Sequence, residues 1–240
     1  MLSPQPHLNY LHTIFGQVVR GLEVLPQIQQ GDTMGVKILR LGPAAMAFRA
    51  DEAAFTALVA RANRYRGPAS PGPDANFDDP DNLLPNKEWN RAQAFNFKLA
   101  NFERFTGTRL VARVLATAPP GAQGGKLEHW LTRNALRLGT ARRGALAVYF
   151  ADRDEWVLKI GADSMATFIL TAPDGKRPGA SASLGGPEQQ CLKSAGADAA
   201  AGIAAAAAKA PPEQPLTDGQ KTKLKVDAVL DGLIFRLEPR

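Results

Sequence analysis

Apolar residues recur along this chain with two periods, and the changes of period mark its elements. Between Lys87 and Gly107, Phe95, Leu99 and Phe102 fall at i, i+4 and i+7, which predicts a helix that Gly107 is placed to end. "RLVARVLA" reads as a strand, and "KLEHWLTRNALRLG" as a helix with Leu127, Trp130, Leu131 and Leu138 on one side. "GALAVYFA" is a continuous apolar strand, and the alternating "EWVLKIG" follows it across a tight "DRD" turn. Helix, strand, helix, strand, strand predicts a sheet covered by helices, with one crossover and one hairpin.

The flanks are less regular. Upstream, Thr13 to Val19 is a β-prone run interrupted by Gly16, and "GLEVLPQIQQGD" spaces Leu22, Leu25 and Ile28 as a short helix closed by Gly31. "GVKILRLG" alternates as a strand should. "RADEAAFTALVARANRY" predicts a helix with Asp51 and Glu52 in its first turn and Phe55, Leu58, Val59 and Ala62 on one face. Residues 66–86 are crowded with Pro, Gly, Asp and Asn and read as a linker, so the domain boundary is expected there. After Gly161, "MATFILTA" fits a further strand and "APDGKRPGASASLGGP" a loop. "KSAGADAAAGIAAAAAKA" predicts an Ala-rich helix stopping at Pro211 and Pro212, and the segment from Thr217 is again helical.

Composition narrows the function classes. The 240 residues are 45% hydrophobic and 22% charged, as expected of a globular protein. The net charge of +6 comes from one segment, since residues 87–161 carry 13 Lys and Arg against 6 Asp and Glu. Such a segment can attract anionic partners, or it can be a solvated Arg-rich surface; basic and aromatic residues are not interleaved as nucleic-acid binding would ask, so no nucleic acid is expected. A single Cys191 offers no internal disulfide, and His7, His12 and His129 have no metal-ligand spacing. There is no run of 18 apolar residues and no cleavable leader pattern, so no transmembrane segment is expected. No cofactor is called for, and oligomeric state is not readable.

The opening stretch "PHLNYLHTIFGQVVRGLEVLPQIQQGD" resembles the carboxy-terminal third of a cyclophilin-type peptidyl-prolyl cis-trans isomerase, over residues 1–42. The helix carrying "AMAFRADEAAF", residues 43–65, resembles an extension found in some bacterial members. The resemblance implies an incomplete β-barrel fragment and, for a complete domain, isomerisation of prolyl bonds in proline-containing polypeptide clients. Rotation about that amide faces a barrier of about 18–20 kcal/mol, lowered by an apolar proline pocket and a donor to the twisted nitrogen. In the family the donor is an arginine that precedes the part matched here, so no catalytic residue is assigned. Three pocket positions are retained: His7 at the rim, Leu8 in the apolar wall and His12 as the pocket histidine. Read without the resemblance, His7 is a loop residue, His12 a structural histidine and Leu8 a core residue. Met1 is expected to be an internal position of a longer protein, one that the resemblance allows to be exported.

Residues 77–170 resemble a TPM domain, a small α/β domain, so the fold class expected for the whole is α/β (α+β): a barrel fragment plus a helix-covered mixed sheet. The resemblance rests on "NFDDPDNLLPN", "LANFERFTGTRLVARVL" and "ALRLGTARRGALAVYFADRDEWVLKIG". Residues 171–240 add the Ala-rich region and a final helix. Where that family commonly has Asp-Asn-Gly before its second strand, this chain has Arg142-Arg143-Gly144. Two arginines replace acidic ligands, which argues against the phosphatase activity proposed for some members, and Gly144 is expected to serve backbone geometry. A non-catalytic binding or assembly module is therefore the alternative to the isomerase.

Overall fold

The structure, a computed structural model, describes residues 8–12, 18–85, 91–170 and 186–239. By its contacts the chain divides into two units, His12–Tyr65 and Met1–Leu11 together with Arg66–Arg240.

In the smaller unit the helical signals are realised, and the strand signal over "GVKILRLG" is not. A 3-10 turn, Leu22–Gln27, follows Gly21, whose φ of 78° is costless only for glycine. Helix α1 (Pro43–Ala47) begins with a proline, which loses no hydrogen bond in a first turn. Helix α2 (Glu52–Arg66) is capped by Asp51, whose Oδ1 accepts the Ala54 N–H at 2.9 Å. The strand expected over "GVKILRLG" does not form. Residues 32–41 carry no regular structure, and Val36, Ile38, Leu39 and Leu41 are 70–83% exposed. A strand needs a neighbour to take its backbone groups, and no described residue of this unit is in a strand. Of the β-prone run Thr13–Val19, residues 13–17 lie outside the described residues, and Val18 and Val19 are exposed. Phe55, Leu58 and Val59 of α2 are also exposed, so its predicted apolar face meets no core.

The larger unit is built on a four-stranded sheet in the order β1-β2-β3-β4. Its elements are β1 (Phe77–Asp78), α3 (Arg91–Thr106), β2 (Arg109–Leu115), α4 (Leu127–Arg137), β3 (Gly144–Phe150) and β4 (Glu155–Ile160). Both β1 and β3 run parallel to β2, and β4 returns antiparallel to β3. There are thus two helical crossovers rather than one. The additional one arises because the stretch read as a linker carries β1: Phe77 is fully buried, and the backbone around it is held by Asn96 and Arg113. Two residues of strand inside a Pro- and Gly-rich run leave no period to read.

Alternation along the strands sends side chains to two cores. Leu110, Ala112, Val114, Ala145, Ala147 and Tyr149 face α3 and the C-terminal helices. Val111, Leu146, Val148 and Phe150 face Leu131 and Ala135 of α4 and Leu138 just after its end. The predicted α3 stripe is realised, with Leu99 and Phe102 fully buried; each such side chain is worth roughly 1.5–3 kcal/mol. Gly107 ends α3 at φ 67°, its N–H donating to Glu103 O at 2.8 Å.

The described part of "MATFILTA", Met165–Leu170, is helical and not a strand, while the stretch from 171 to 185, which includes most of the expected loop, lies outside the described residues. Gly161 N–H donates to Gly144 O, and a 3-10 turn at Ala162–Ser164 then carries the chain off the sheet into α5 (Met165–Leu170), where Phe168 is buried. Short apolar runs read equally well as strand or helix, and this one is decided by the turn before it. The Ala-rich segment forms α6 (Pro187–Lys209), and α7 (Asp218–Leu237) opens with a capping box between Thr217 and Gln220. Lys98 of α3, with 1% of its side chain exposed, meets Asp231 of α7 at 2.5 Å.

Candidate functional site

A cleft in the larger unit lies at the tip of the β3–β4 hairpin, against α6 and α7. Asp154 turns the chain at φ 49°, a left-handed conformation that Asp tolerates better than most residues. Its Oδ1 accepts the Tyr149 hydroxyl at 2.7 Å and the Lys225 ammonium at 2.6 Å. The buried Tyr149 ring packs on Trp156 at 5.2 Å. Ala195, Gly196, Ala199 and Ala200 of α6, too small to fill the gap, leave a cleft of about 440 Å³ bounded by Trp156, Lys225 and Val229. That volume suits a small ligand or an inserted side chain.

The electrostatics of this cleft work against proton transfer at neutral pH. Burial pushes the Asp154 carboxyl up, but hydrogen bonds from Lys225 and Tyr149 outweigh it and hold the group below its usual value. Burial, reinforced by the bond to Asp154, pushes the Tyr149 phenol up. A general acid or base works best with its pKa near the working pH, and these two are driven apart from it. Buried Cys191 is likewise pushed up by desolvation, with Arg236 only partly opposing.

A second group of charges sits beneath β1. Arg113 is buried and donates to the carbonyls of Ala112, Pro73 and Ala75 at 2.7–2.9 Å. Desolvation first, then the nearby Arg137 and Arg109, bring it down to about 10, against the pull of Asp78. Asp79 is raised mainly by burial, although it accepts the Leu83 and Leu84 N–H groups at 2.9 Å. These groups hold the edge strand in place. Among the described residues no group of three or more His, Cys, Asp or Glu is arranged to hold a metal ion.

At the opposite end of the sheet lies the Arg142-Arg143-Gly144 turn. A Cβ on Gly144 would stand 2.0 Å from Arg109 O, so glycine is required by close approach of backbone to backbone. Arg142 pairs with Asp163 at 3.2 Å, and Arg143 donates to Thr106 O at 2.9 Å.

Of the three pocket positions inferred from sequence, His7 lies outside the described residues. Leu8 is half-buried in a turn closed by Leu11 N–H to Leu8 O at 3.1 Å. His12 is exposed and begins the other unit, so Leu8 and His12 are not brought into one site within either unit. Tyr10, between them, carries the local structure. Its ring meets Phe102 edge-on at 5.2 Å, its carbonyl accepts from Asn101 Nδ2 at 2.8 Å, and its hydroxyl donates to Glu238. Sequence reasoning passed over Tyr10, Asp154 and Lys225. Only the αL-tolerant Asp in the hairpin turn left a signal that could have been followed.

Comparison with known proteins matches these features in part. The sequence model of the cyclophilin type peptidyl-prolyl cis-trans isomerase/CLD family matches residues 1–42. A relative, peptidyl-prolyl cis-trans isomerase B of Bacillus subtilis (strain 168), is 55% identical over 32 residues, which are 13% of this chain and 22% of that protein. The chain thus spans about a fifth of the curated relative it matches. No solved structure matches.

Proposed function

We propose that residues 66–239 are a non-catalytic, TPM-like binding module, and that the cyclophilin-type segment before it contributes no isomerase activity within this chain. The observation that carries this reading is the Tyr149–Asp154–Lys225 network: the three groups are bonded to one another, with the Tyr149 phenol pushed up and the Asp154 carboxyl held down. What remains is apolar wall and fixed charge, which suit recognition rather than bond making. The arginines in place of an acidic turn at Arg142 and Arg143 support the same conclusion. The test is a carbon-detected NMR titration of the Asp154 carboxyl in the full chain. Its midpoint is expected below the ordinary Asp value of about 3.9; a midpoint near neutrality would return the cleft to the list of acid–base sites.

One finding favours a second reading, prolyl isomerisation of proline-containing polypeptides: the family match over residues 1–42 with 55% identity in a 32-residue stretch. Under it His7, Leu8 and His12 line the proline pocket, and turnover requires the arginine-bearing part of the domain, which the matched residues do not include. Following the His12 imidazole shift during titration with an Ala-Pro peptide tests this reading. A saturable shift supports it, and no shift up to millimolar peptide removes it.

A further inference from the structure

We propose that the arginine-bearing end of the larger unit is a peripheral docking face for an anionic lipid surface. Strands β2 and β3 are parallel and begin at Arg109 and Gly144, so the turns preceding them share one end of the sheet. Helices α3 and α4, on opposite faces of the sheet, finish at that same end. They bring Arg104, Arg137, Arg142 and Arg143 to the surface there, with Arg109 half-buried behind them. The loops are tied together by Arg143 to Thr106 O at 2.9 Å and by the Arg109–Gly144 register.

Two further observations select the partner. The last turns of α3 and α4 each expose a large apolar side chain at this end: Phe105 is 75% and Leu136 66% exposed. Arginines bracketed by apolar side chains match the layering of a bilayer interface, where phosphates lie above the first methylenes. A nucleic acid would use the charge but not Leu136. The sheet is also polarised in net charge: the arginines outnumber Asp74, Glu103 and Asp163 at their end, whereas Asp79, Asp81, Asp152, Asp154 and Glu155 outnumber Arg153 and Lys225 at the other end, where β1 and β3 finish and β4 begins. An anionic surface therefore attracts one end and repels the other, which orients the unit before contact. The pairs Arg137–Asp74 and Arg142–Asp163 are surface pairs of little net worth, so lipid phosphates can exchange for the carboxylates. Among the described residues no helix is long and apolar enough to cross a membrane.

The inference extends the reading of this unit as a binding module, yet the two fail separately: an isomerase-active chain that still binds vesicles would end that reading and leave this one standing. The experiment is co-sedimentation of the full chain with vesicles of phosphatidylcholine alone and with about one third phosphatidylglycerol, at low and at raised salt. Binding is expected only to the anionic vesicles and is expected to weaken with salt as the Debye length shrinks. Each basic residue near an anionic surface is worth roughly fivefold. The double variant Arg142→Gln/Arg143→Gln is therefore expected to bind roughly 25-fold more weakly, Phe105→Ser to bind more weakly at every salt concentration, and Lys221→Gln, at the other end, to bind like the parent. Circular dichroism confirms that the variants fold. Absence of binding, equal binding to both vesicles, equal loss in the Lys221 variant, or tighter arginine-dependent binding to a single-stranded RNA oligomer than to vesicles each overturns the proposal.

Discussion

The hydroxyl of Tyr10 donates to the carboxylate of Glu238, joining positions 228 residues apart in the sequence. The tyrosine lies inside the cyclophilin-matched stretch, and the glutamate follows the last turn of α7. Tyr10 thereby ties residues 8–11 to the rest of their own unit, its ring resting on Phe102 and Phe105. Tyr10→Phe keeps the ring and loses the hydrogen bond, an expected cost of about 1 kcal/mol. Tyr10→Ala also loses the half-buried ring, roughly 2 kcal/mol in all. Denaturant midpoints of the two variants check the order.

Lys98 and Asp231 make the innermost ion pair of the α3–α7 contact. Removing one partner leaves the other charge poorly solvated, so Lys98→Met is expected to cost roughly 3 kcal/mol. The double variant Lys98→Met/Asp231→Leu restores an uncharged contact and is expected to recover most of that loss. A double-mutant cycle in urea measures both terms.

Asp154 gives a pH dependence of definite sign. Its carboxyl is held below the ordinary value, so its bonds to Tyr149 and Lys225 stabilise the fold above the unfolded pKa of about 3.9 and are lost as pH falls through the lower, folded value. The side chain is 62% exposed, which limits the effect to under about 1 kcal/mol. The stability difference between the parent and Asp154→Asn is expected to be flat from pH 5 to 7, within about 0.3 kcal/mol, and to shrink toward pH 3. Thermal melts across that range read it out, and a difference that instead grew on acidification would contradict the assignment.

Gly161 and Gly144 stand where strand β4 ends beside the start of β3. A Cβ on Gly161 would lie 2.4 Å from Arg142 O and 2.5 Å from Thr140 O, backbone atoms that could give way only by moving the chain. Gly161→Ala and Gly144→Ala are each expected to cost more than about 4 kcal/mol, enough to unfold a marginal domain. Gly196→Ala, with open space at its Cβ, serves as the mild control. A normal melting temperature for Gly161→Ala would show that the loop around Arg142 can shift.

What the sequence revealed follows from where period and partner coincide. Phe95, Leu99 and Phe102 could be read as one face because they are spaced on a helix that has a sheet to pack on. The β3–β4 hairpin was legible because its turn is tight and its strands adjacent. Val36 to Leu41 has the same alternation, yet no described residue of its unit is in a strand to take up the backbone, and alternation alone does not make a strand. Phe77–Asp78 failed in the opposite way, since two residues carry no period although a partner strand fixes them. The Asp154–Lys225 pairing at the cleft and the Tyr10–Glu238 pairing beyond the end of α7 join distant positions through packing that no local pattern announces. The Arg142-Arg143-Gly144 turn, by contrast, was marked in advance as a backbone requirement at the glycine.

The central claim, that this chain binds but does not isomerise, is tested most directly by exchange NMR on an Ala-Pro peptide with and without the full protein. Uncatalysed interconversion takes tens to hundreds of seconds, and the account predicts no change on adding protein at micromolar concentration. Interconversion accelerated a hundredfold or more, and lost in a His12→Ala variant, would contradict it and make the cyclophilin-type segment the working part of the chain.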